Sequence, residues 1–339
     1  MSSVFHDLMS DRPELLRTLA RIGVADRELS PVVTPLTGGV SSNIVRIQIG
    51  DRNFCLKQAL PKLKAEKDWQ VPVDRVYAEI DWLRTAERLV PGHAPRVIGV
   101  DKQTNSFVME FLPDSYRNWK SELMAGRIAP ETAARLGEVL GRIHAGTAGD
   151  SDMADLFAND DLFYAIRLEP YLEEAARQHP AVAGVLSALI ERTRLTRKAL
   201  VHGDVSPKNI LVGLQGPVLL DAECACYGDP AFDVAFFLNH LLLKSAWRLQ
   251  LLPELLQCLE LFVARYSEQV DWEPLDDLIM RIQTLLPGLL LARIDGKSPV
   301  EYLSEATREH VRRLALDMLG APSISLFEIT RLWKKEFVK

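Results

Sequence analysis

Long apolar runs are missing from this chain. No stretch reaches the roughly 18 residues that mark a membrane-spanning helix, so a helical membrane protein is not expected and no membrane partner is implied. Positive charge is short as well: 40 Lys and Arg stand against 46 Asp and Glu, a net charge of −6, with no dense basic run. Aromatic residues are not interleaved with basic ones either, so nucleic acid is not expected as a partner. Cysteine is rare. Cys55, Cys224, Cys226 and Cys258 are scattered, and Cys224-x-Cys226 has neither the spacing nor the second pair of a zinc site. The four read as reduced thiols of a cytoplasmic protein. The opening Met1-Ser2-Ser3-Val4-Phe5-His6-Asp7 has no basic region ahead of an apolar one, so no secretory signal is expected. No internal repeat and no low-complexity segment is evident.

What is present is enough for a full core. With 339 residues, 47% of them hydrophobic, the chain can build one large domain or two lobes. Residues 4–29 read as a helical extension with Asp11 as N-cap before Pro13. Pro31 and Pro35 break that pattern and lead into Leu36-Thr37-Gly38-Gly39-Val40-Ser41-Ser42-Asn43. Strand-like runs follow at 44–49 and from Phe54, joined by the turn residues Gly50 to Asn53. Residues 61–74 read as a loop, and 76–89 as a helix with Glu79 in its first turn. Two more strands are expected at 94–100 and 106–112. Helical patterns then dominate: 130–145, 181–197, a long apolar helix headed by Asp233, then 251–267, 275–293, 300–319 and a basic amphipathic tail at 325–337. The composition shift at Pro113 marks the expected boundary: an extension over 1–30, a small lobe over 31–112 and a helical lobe over 113–339.

The most informative stretch is Leu200-Val201-His202-Gly203-Asp204-Val205-Ser206-Pro207-Lys208-Asn209-Ile210-Leu211-Val212, followed by the strand Pro217 to Leu220 and then Asp221. It reads as a polar hairpin between apolar strands. In a phosphoryl-transfer site, one carboxylate orients the acceptor hydroxyl and takes its proton. An Asn five residues on, and an Asp ending the next strand, hold magnesium on the triphosphate. Asp204, Asn209 and Asp221 have those positions. The plainer reading is a polar turn that ends on an Asp. The glycine turn has two readings as well. It is an ordinary hairpin lead-in, or a flap over nucleotide phosphates with Lys57 reaching them from the next strand and Glu79 pairing with Lys57.

Taken in order, these features resemble the protein-kinase-like fold, and in detail the aminoglycoside phosphotransferase and choline kinase branch of small-molecule kinases. His202-Gly203-Asp204 with Asn209-Ile210-Leu211-Val212 is similar to that branch's H-G-D-x-x-x-x-N-I-L-V, and Asp221-Ala222-Glu223 to its D-x-E. Tyr227-Gly228 to Phe232-Asp233 resembles its usual continuation. Two positions depart from the pattern: Ser206 stands where many members have His or Tyr, and Lys208 where Gly is frequent.

The resemblance implies an α+β, two-lobe fold, with a small antiparallel β-sheet lobe bearing one helix and a larger, mainly helical lobe. It implies ATP and Mg2+ as cofactors, with ATP in the cleft, and transfer of the γ-phosphoryl group to a hydroxyl of a small molecule. Asp204 would be the catalytic base. Asn209 and Asp221 would bind the metal, with Glu223 assisting. Gly38, Gly39, Ser41, Ser42, Lys57 and Glu79 would form the phosphate clamp, and Met109 to Leu112, including Glu110 and Leu112, the adenine hinge. Asp233 would brace the catalytic loop, and His144 is given no role. A serine/threonine protein kinase and an inactive nucleotide-binding scaffold are the alternatives. No Ala-Pro-Glu follows Asp221, which speaks against the first, and the polar residues the chemistry needs are present, which speaks against the second. The chain is expected to be a monomer or homodimer. For the acceptor, residues 150–174 carry Asp150, Asp152, Asp155, Asp160, Asp161, Glu169, Glu173 and Glu174 against the single base Arg167. Such a run is ordinarily a solvated face, but it would also suit an amine-bearing acceptor. Arg293 and Lys297 would point instead to an anionic one.

Overall fold

The computed structural model describes residues 7–25, 30–36, 42–61, 72–321 and 324–337. They form two compact units, 1–115 and 116–339. Gly38, Gly39 and Ser41 of the glycine turn lie outside the described residues.

In the first unit Asp11 accepts from Glu14 N at 3.0 Å and starts helix α1 (Arg12–Ile22). The helix is shorter than the 4–29 expected. Pro13 in its first turn cannot extend it backwards, and Gly23, at φ 83°, closes it with bonds to Leu19 and Ala20. Five antiparallel strands follow: β1 (Val32–Pro35), β2 (Ser42–Ile49), β3 (Arg52–Ala59), β4 (Val97–Asp101) and β5 (Ser106–Glu110), in the order β1-β2-β3-β5-β4. Strand β1, in the stretch read as a proline break, is an edge strand, where proline is tolerated. Because side chains alternate along a strand, β3 serves two faces. Phe54 and Leu56 join Val45, Ile47, Ile49 and α1's Leu15 and Leu19 in one apolar cluster. Lys57 goes the other way, toward helix α2 (Arg75–Leu89).

The second unit runs β6 (Arg117–Asn118), α3 (Trp119–Met124), α4 (Pro130–Ala145), α5 (Ser151–Leu156), α6 (Asp160–Phe163), α7 (Glu174–Gln178) and α8 (Ala183–Leu195). It continues with β7 (Ala199–Val201), β8 (Ile210–Gly213), β9 (Gly216–Leu219), β10 (Cys226–Gly228), α9 (Ala231–Trp247), α10 (Leu252–Ser267), α11 (Leu275–Asp295), α12 (Glu305–Leu319) and α13 (Leu326–Phe337). Helix α9 is apolar on all sides and buried from Ala231 to Ala246, as befits the centre of a helical lobe. No helix among the described residues is long and apolar enough to cross a membrane.

Two features depart from expectation. The stretch from Leu200 is no hairpin: β7 pairs with β10, while β8 pairs with β9. The residues between β7 and β8 are therefore a crossing loop with a 3-10 turn at Pro207–Asn209. Tyr164–Glu173 forms a π-helical stretch. Pro170 inside it has no N–H to give, and its carbonyl is taken by Lys297 N at 2.8 Å, so the α-helical ladder cannot close there.

Helices α4 and α10 pack backbone to backbone. A Cβ placed on Gly137 would lie 2.3 Å from Phe262 O, and one on Gly141 would lie 2.8 Å from Gln269 Cβ. A main-chain carbonyl on a helix cannot swing aside. Gly137→Ala is expected to destabilise the fold by about 1–3 kcal/mol by overpacking, despite alanine's better helix propensity. Urea unfolding monitored by circular dichroism measures this, and an unchanged midpoint would contradict the close approach.

Candidate active site

In the first unit, Lys57 Nζ lies 2.6 Å from Glu79 Oε2, with both side chains 2% exposed. These residues are 22 apart in sequence and come from β3 and α2. A buried ammonium is held in one place only if its charge is matched, and Glu79 does this. Ser42 opens β2 opposite Ala59. Glu110 closes β5, where its N donates to Arg96 O at 3.0 Å, and Leu112 is half-buried just beyond.

In the second unit the loop after β7 is held by backbone bonds. Asp233, in the first turn of α9 and fully buried, accepts from His202 N at 2.7 Å and from Gly203 N at 2.8 Å. His144 Nε2 sits 3.3 Å from the same carboxylate, and its Nδ1 is 2.8 Å from Tyr266 OH. Gly203 has φ 78°, and a Cβ there would lie 2.8 Å from Cys224 Cβ and 2.9 Å from Cys224 O. Only glycine fits. His202 then fixes the next two pieces. Asp204 N donates to its Nδ1 at 3.1 Å, so the ring proton is on Nε2, which donates to Leu220 O at 3.1 Å. The ring is the neutral tautomer, consistent with burial lowering its pKa. One imidazole thus couples the loop to the backbone entering Asp221. Asp221 itself is held at φ 66°, a left-handed conformation that a non-glycine residue seldom adopts.

Asp204 is 5% exposed. Its Oδ2 receives Arg167 Nη2 at 2.8 Å and Lys208 Nζ at 3.1 Å, while Oδ1 accepts no hydrogen bond among the described residues. Burial alone would raise this carboxyl. The Lys208 ammonium and the Arg167 guanidinium outweigh it and bring the pKa down to about 2. Asn209 Nδ2 donates to Asp204 O at 3.2 Å, which leaves its Oδ1 without a partner among the described residues. The carboxylate oxygens of Asp221 and Glu223 approach within 4.8 Å of each other. Amide and carboxylate oxygens of this kind are the hard donors that magnesium takes, and the set fits that ion.

A profile of the APH family, described as "Phosphotransferase enzyme family", matches residues 32–278. The chain belongs to this family. Its similarity to individual relatives is lower. Methylthioribose kinases of Pectobacterium carotovorum and Pectobacterium atrosepticum are 28% identical over 233 residues and 26% over 306. Those alignments cover 59% and 81% of this chain, but 56% and 73% of the relatives, so the chain spans little more than half of the first. Among solved structures, a candidate fructosamine-3-kinase from Thermobifida fusca is similar with TM-score 0.54 and 21% identity, covering 90% of this chain and 99% of that one. At that identity the likeness speaks for the fold.

Within this APH-family chain, two positioning residues escaped sequence reading. Arg167 belongs to the acidic run. The π-helical stretch turns it inward, where its Nε donates to Gly203 O and its Nη2 reaches Asp204. A lone basic residue in an acidic aromatic segment was the available signal. His144 was given no role, yet it stands behind Asp233, its Nε2 3.3 Å from that carboxylate.

Five of the eight acids around Arg167 are engaged elsewhere. Asp150 caps α5, Asp160 pairs with Arg197, and Glu169, Glu173 and Glu174 all bind Arg177, with Glu169 also holding Lys297 at 2.5 Å. Part of the acidic run is thus neutralised by Arg177, Arg197 and Lys297.

Because folding lowers the Asp204 pKa from 3.8 to about 2, the folded state binds this proton less readily than the unfolded chain. Its contribution is fully present above the unfolded value and is lost as pH falls toward the folded one. Between pH 5 and pH 3 it should cost wild type about 1 kcal/mol relative to Asp204→Asn. Urea titrations of both proteins across that interval measure the difference. Parallel pH curves would contradict the assignment.

Proposed function

We propose that the chain transfers the γ-phosphoryl group of ATP to a hydroxyl of a small polar molecule, in the cytoplasm and with magnesium. The observation that carries this reading is Asp204: a buried, permanently ionised carboxylate with one oxygen clamped by Arg167 and Lys208 and the other left for a hydroxyl. Family membership supports the class of reaction, and the names of the Pectobacterium relatives make a sugar-like polyol the natural acceptor type.

In this reading the acceptor O–H donates to Asp204 Oδ1, which aims the oxygen at the γ-phosphorus. As the new P–O bond forms, the proton moves to Asp204 and ADP departs. A carboxylate with pKa about 2 is a weak base. It orients the hydroxyl throughout and takes the proton late, which suits a loose transition state that asks little of the nucleophile. Magnesium would be held by Asn209 Oδ1 and Asp221, with Glu223 assisting through a second ion or a water. When bound, it neutralises the charge on the phosphate oxygens. Lys57, kept in place by Glu79, serves the phosphates together with Ser42 and with Gly38, Gly39 and Ser41. Glu110 to Leu112 serve the adenine. Asp233, His144 and His202 fix the loop without touching the reactants.

Asp204→Asn should retain ATP affinity and lose turnover by at least about two to four orders of magnitude, the usual reach of a positioned base. The assay is ADP release with an active acceptor, found by mass spectrometry of a metabolite extract incubated with ATP. Near-normal turnover would remove Asp204 from the reaction. Asp221→Asn should weaken ATP binding in magnesium but not in EDTA. Isothermal titrations under the two conditions separate the cases, and equal affinities for wild type and variant in magnesium would remove Asp221 from the metal.

A further inference from the structure

One face of helix α9 runs away from the catalytic loop through Phe236, His240, Lys244 and Trp247, at the spacing of one helical stripe. Phe236 lies under Arg167, the residue that clamps Asp204, at 5.8 Å from ring centre to guanidinium. His240 packs edge-on against Phe236 at 5.0 Å. One turn further, Lys244 is 4% exposed, and its Nζ sits 4.9 Å over the Tyr302 ring. Arg293 reaches the same place from α11. Its guanidinium is 5.8 Å from the Tyr171 ring, and the Arg167 guanidinium is 5.9 Å from that same ring. Arg293 and the Arg167 that clamps Asp204 thus both lie against one ring, that of Tyr171.

The polar groups here lack partners. Lys244 makes no ion pair or hydrogen bond among the described residues. Arg293 makes no ion pair: its Nη1 holds Ser298, and its Nε, 9% exposed as a residue, has no acceptor. Among the described residues, His240 Nε2 and Tyr302 OH are buried without a hydrogen bond, as is Ser206 Oγ in the catalytic loop. Lys120 adds a third cation, but Glu301, the carboxylate beside this group, already pairs with it at 2.8 Å. Two buried basic groups are left without a carboxylate bonded to them among the described residues, an unfavourable arrangement for either to carry charge. Burial, with Lys120 and Arg293 nearby, pulls Lys244 down to about 7. An anion would relieve all of this.

Building on the phosphotransferase reading, we propose that Arg293 and Lys244, with His240 and Tyr302 beside them, bind the oxyanion of the acceptor. The acceptor is then a hydroxylated carbon chain ending in a carboxylate or a phosphate, its hydroxyl at Asp204 and its anion beyond Tyr171. This replaces the amine suggested by the acidic run.

The test uses matched pairs with ATP: D-gluconate against sorbitol, and ribose 5-phosphate against ribose, with glucosamine as the cationic control. The charged member of one pair should exceed its neutral partner about tenfold or more in kcat/KM. Gluconate in that role assigns a carboxylate and ribose 5-phosphate a phosphate. Arg293→Met and Lys244→Met should each remove most of that preference through the acceptor KM, leaving the KM for ATP unchanged, and Lys244→Arg should retain it. Lys244→Met should also melt higher than wild type without anion, since a buried unpaired charge is replaced by an apolar chain of similar size. Preference for sorbitol, ribose or glucosamine, or intact acid preference in both Met variants, overturns the proposal. Should none of the five compounds turn over, the kinase reading is what loses support, and binding decides the subsite. Gluconate or phosphate at fixed ionic strength should raise the melting temperature of wild type but not of the double Met variant. Equal or absent shifts overturn it.

Discussion

The Asp233 carboxylate is the constraint on which the catalytic segment depends. It is fully buried and takes both backbone N–H groups at the start of the loop, at 2.7 and 2.8 Å. An ionised group in that position is costly unless every oxygen is matched, and His144, backed by Tyr266, completes the match. The loop backbone can then pass through the left-handed turn at Gly203, which brings Asp204 N onto the His202 ring. Because Asp233 belongs to a helix buried from Ala231 to Ala246, the loop is anchored to the interior of the lobe. Preorganisation of this kind would hold the Asp204 carboxylate to within a few tenths of an ångström, as the proposed chemistry requires.

Charge around Asp204 is arranged for orientation at the expense of basicity. Two cations on one oxygen lower its affinity for a proton and at the same time fix the direction of the other oxygen. A site that had to pull a proton off early would need the opposite, a carboxyl raised toward neutrality. The two departures from the family pattern fall in this loop. Lys208 is one of the clamping cations, and Ser206 carries a buried hydroxyl with no hydrogen-bond partner among the described residues.

Much of this was legible because it is local. Helix α4 spans the residues its periodicity marks, 130–145, and the Lys57 and Glu79 pair is the one the family resemblance implied, a solvated Glu79 having been the plainer reading. What sequence could not show was non-local pairing. The segment from Leu200 looked like a hairpin because apolar strands flank a polar turn. Its first strand in fact pairs with Cys226–Gly228, a partner 25 residues downstream of Val201 at its near end. Strand β1 was hidden behind two prolines, acceptable only because it is an edge. Arg167 was unreadable because its inward aim depends on a π-helical stretch whose cause, the carbonyl of Pro170 bonded to Lys297 N, spans more than a hundred residues.

The same limit governs the sign of charge that an acceptor meets. Counted along the chain, residues 150–174 are strongly acidic, and α9 reads as a long apolar helix headed by Asp233. Counted by partner, the picture inverts. Arg177, Arg197 and Lys297 arrive from outside the acidic run and consume its carboxylates at the surface. Lys244 and Arg293 arrive in the interior and find none. Exposed charges that are paired contribute little field. Buried charges that are unpaired contribute most of it, since little solvent remains to screen them. The sign of charge near Asp204 therefore follows from which groups are buried beside it, Lys208 and Arg167 first among them, and not from a count of acids along the chain.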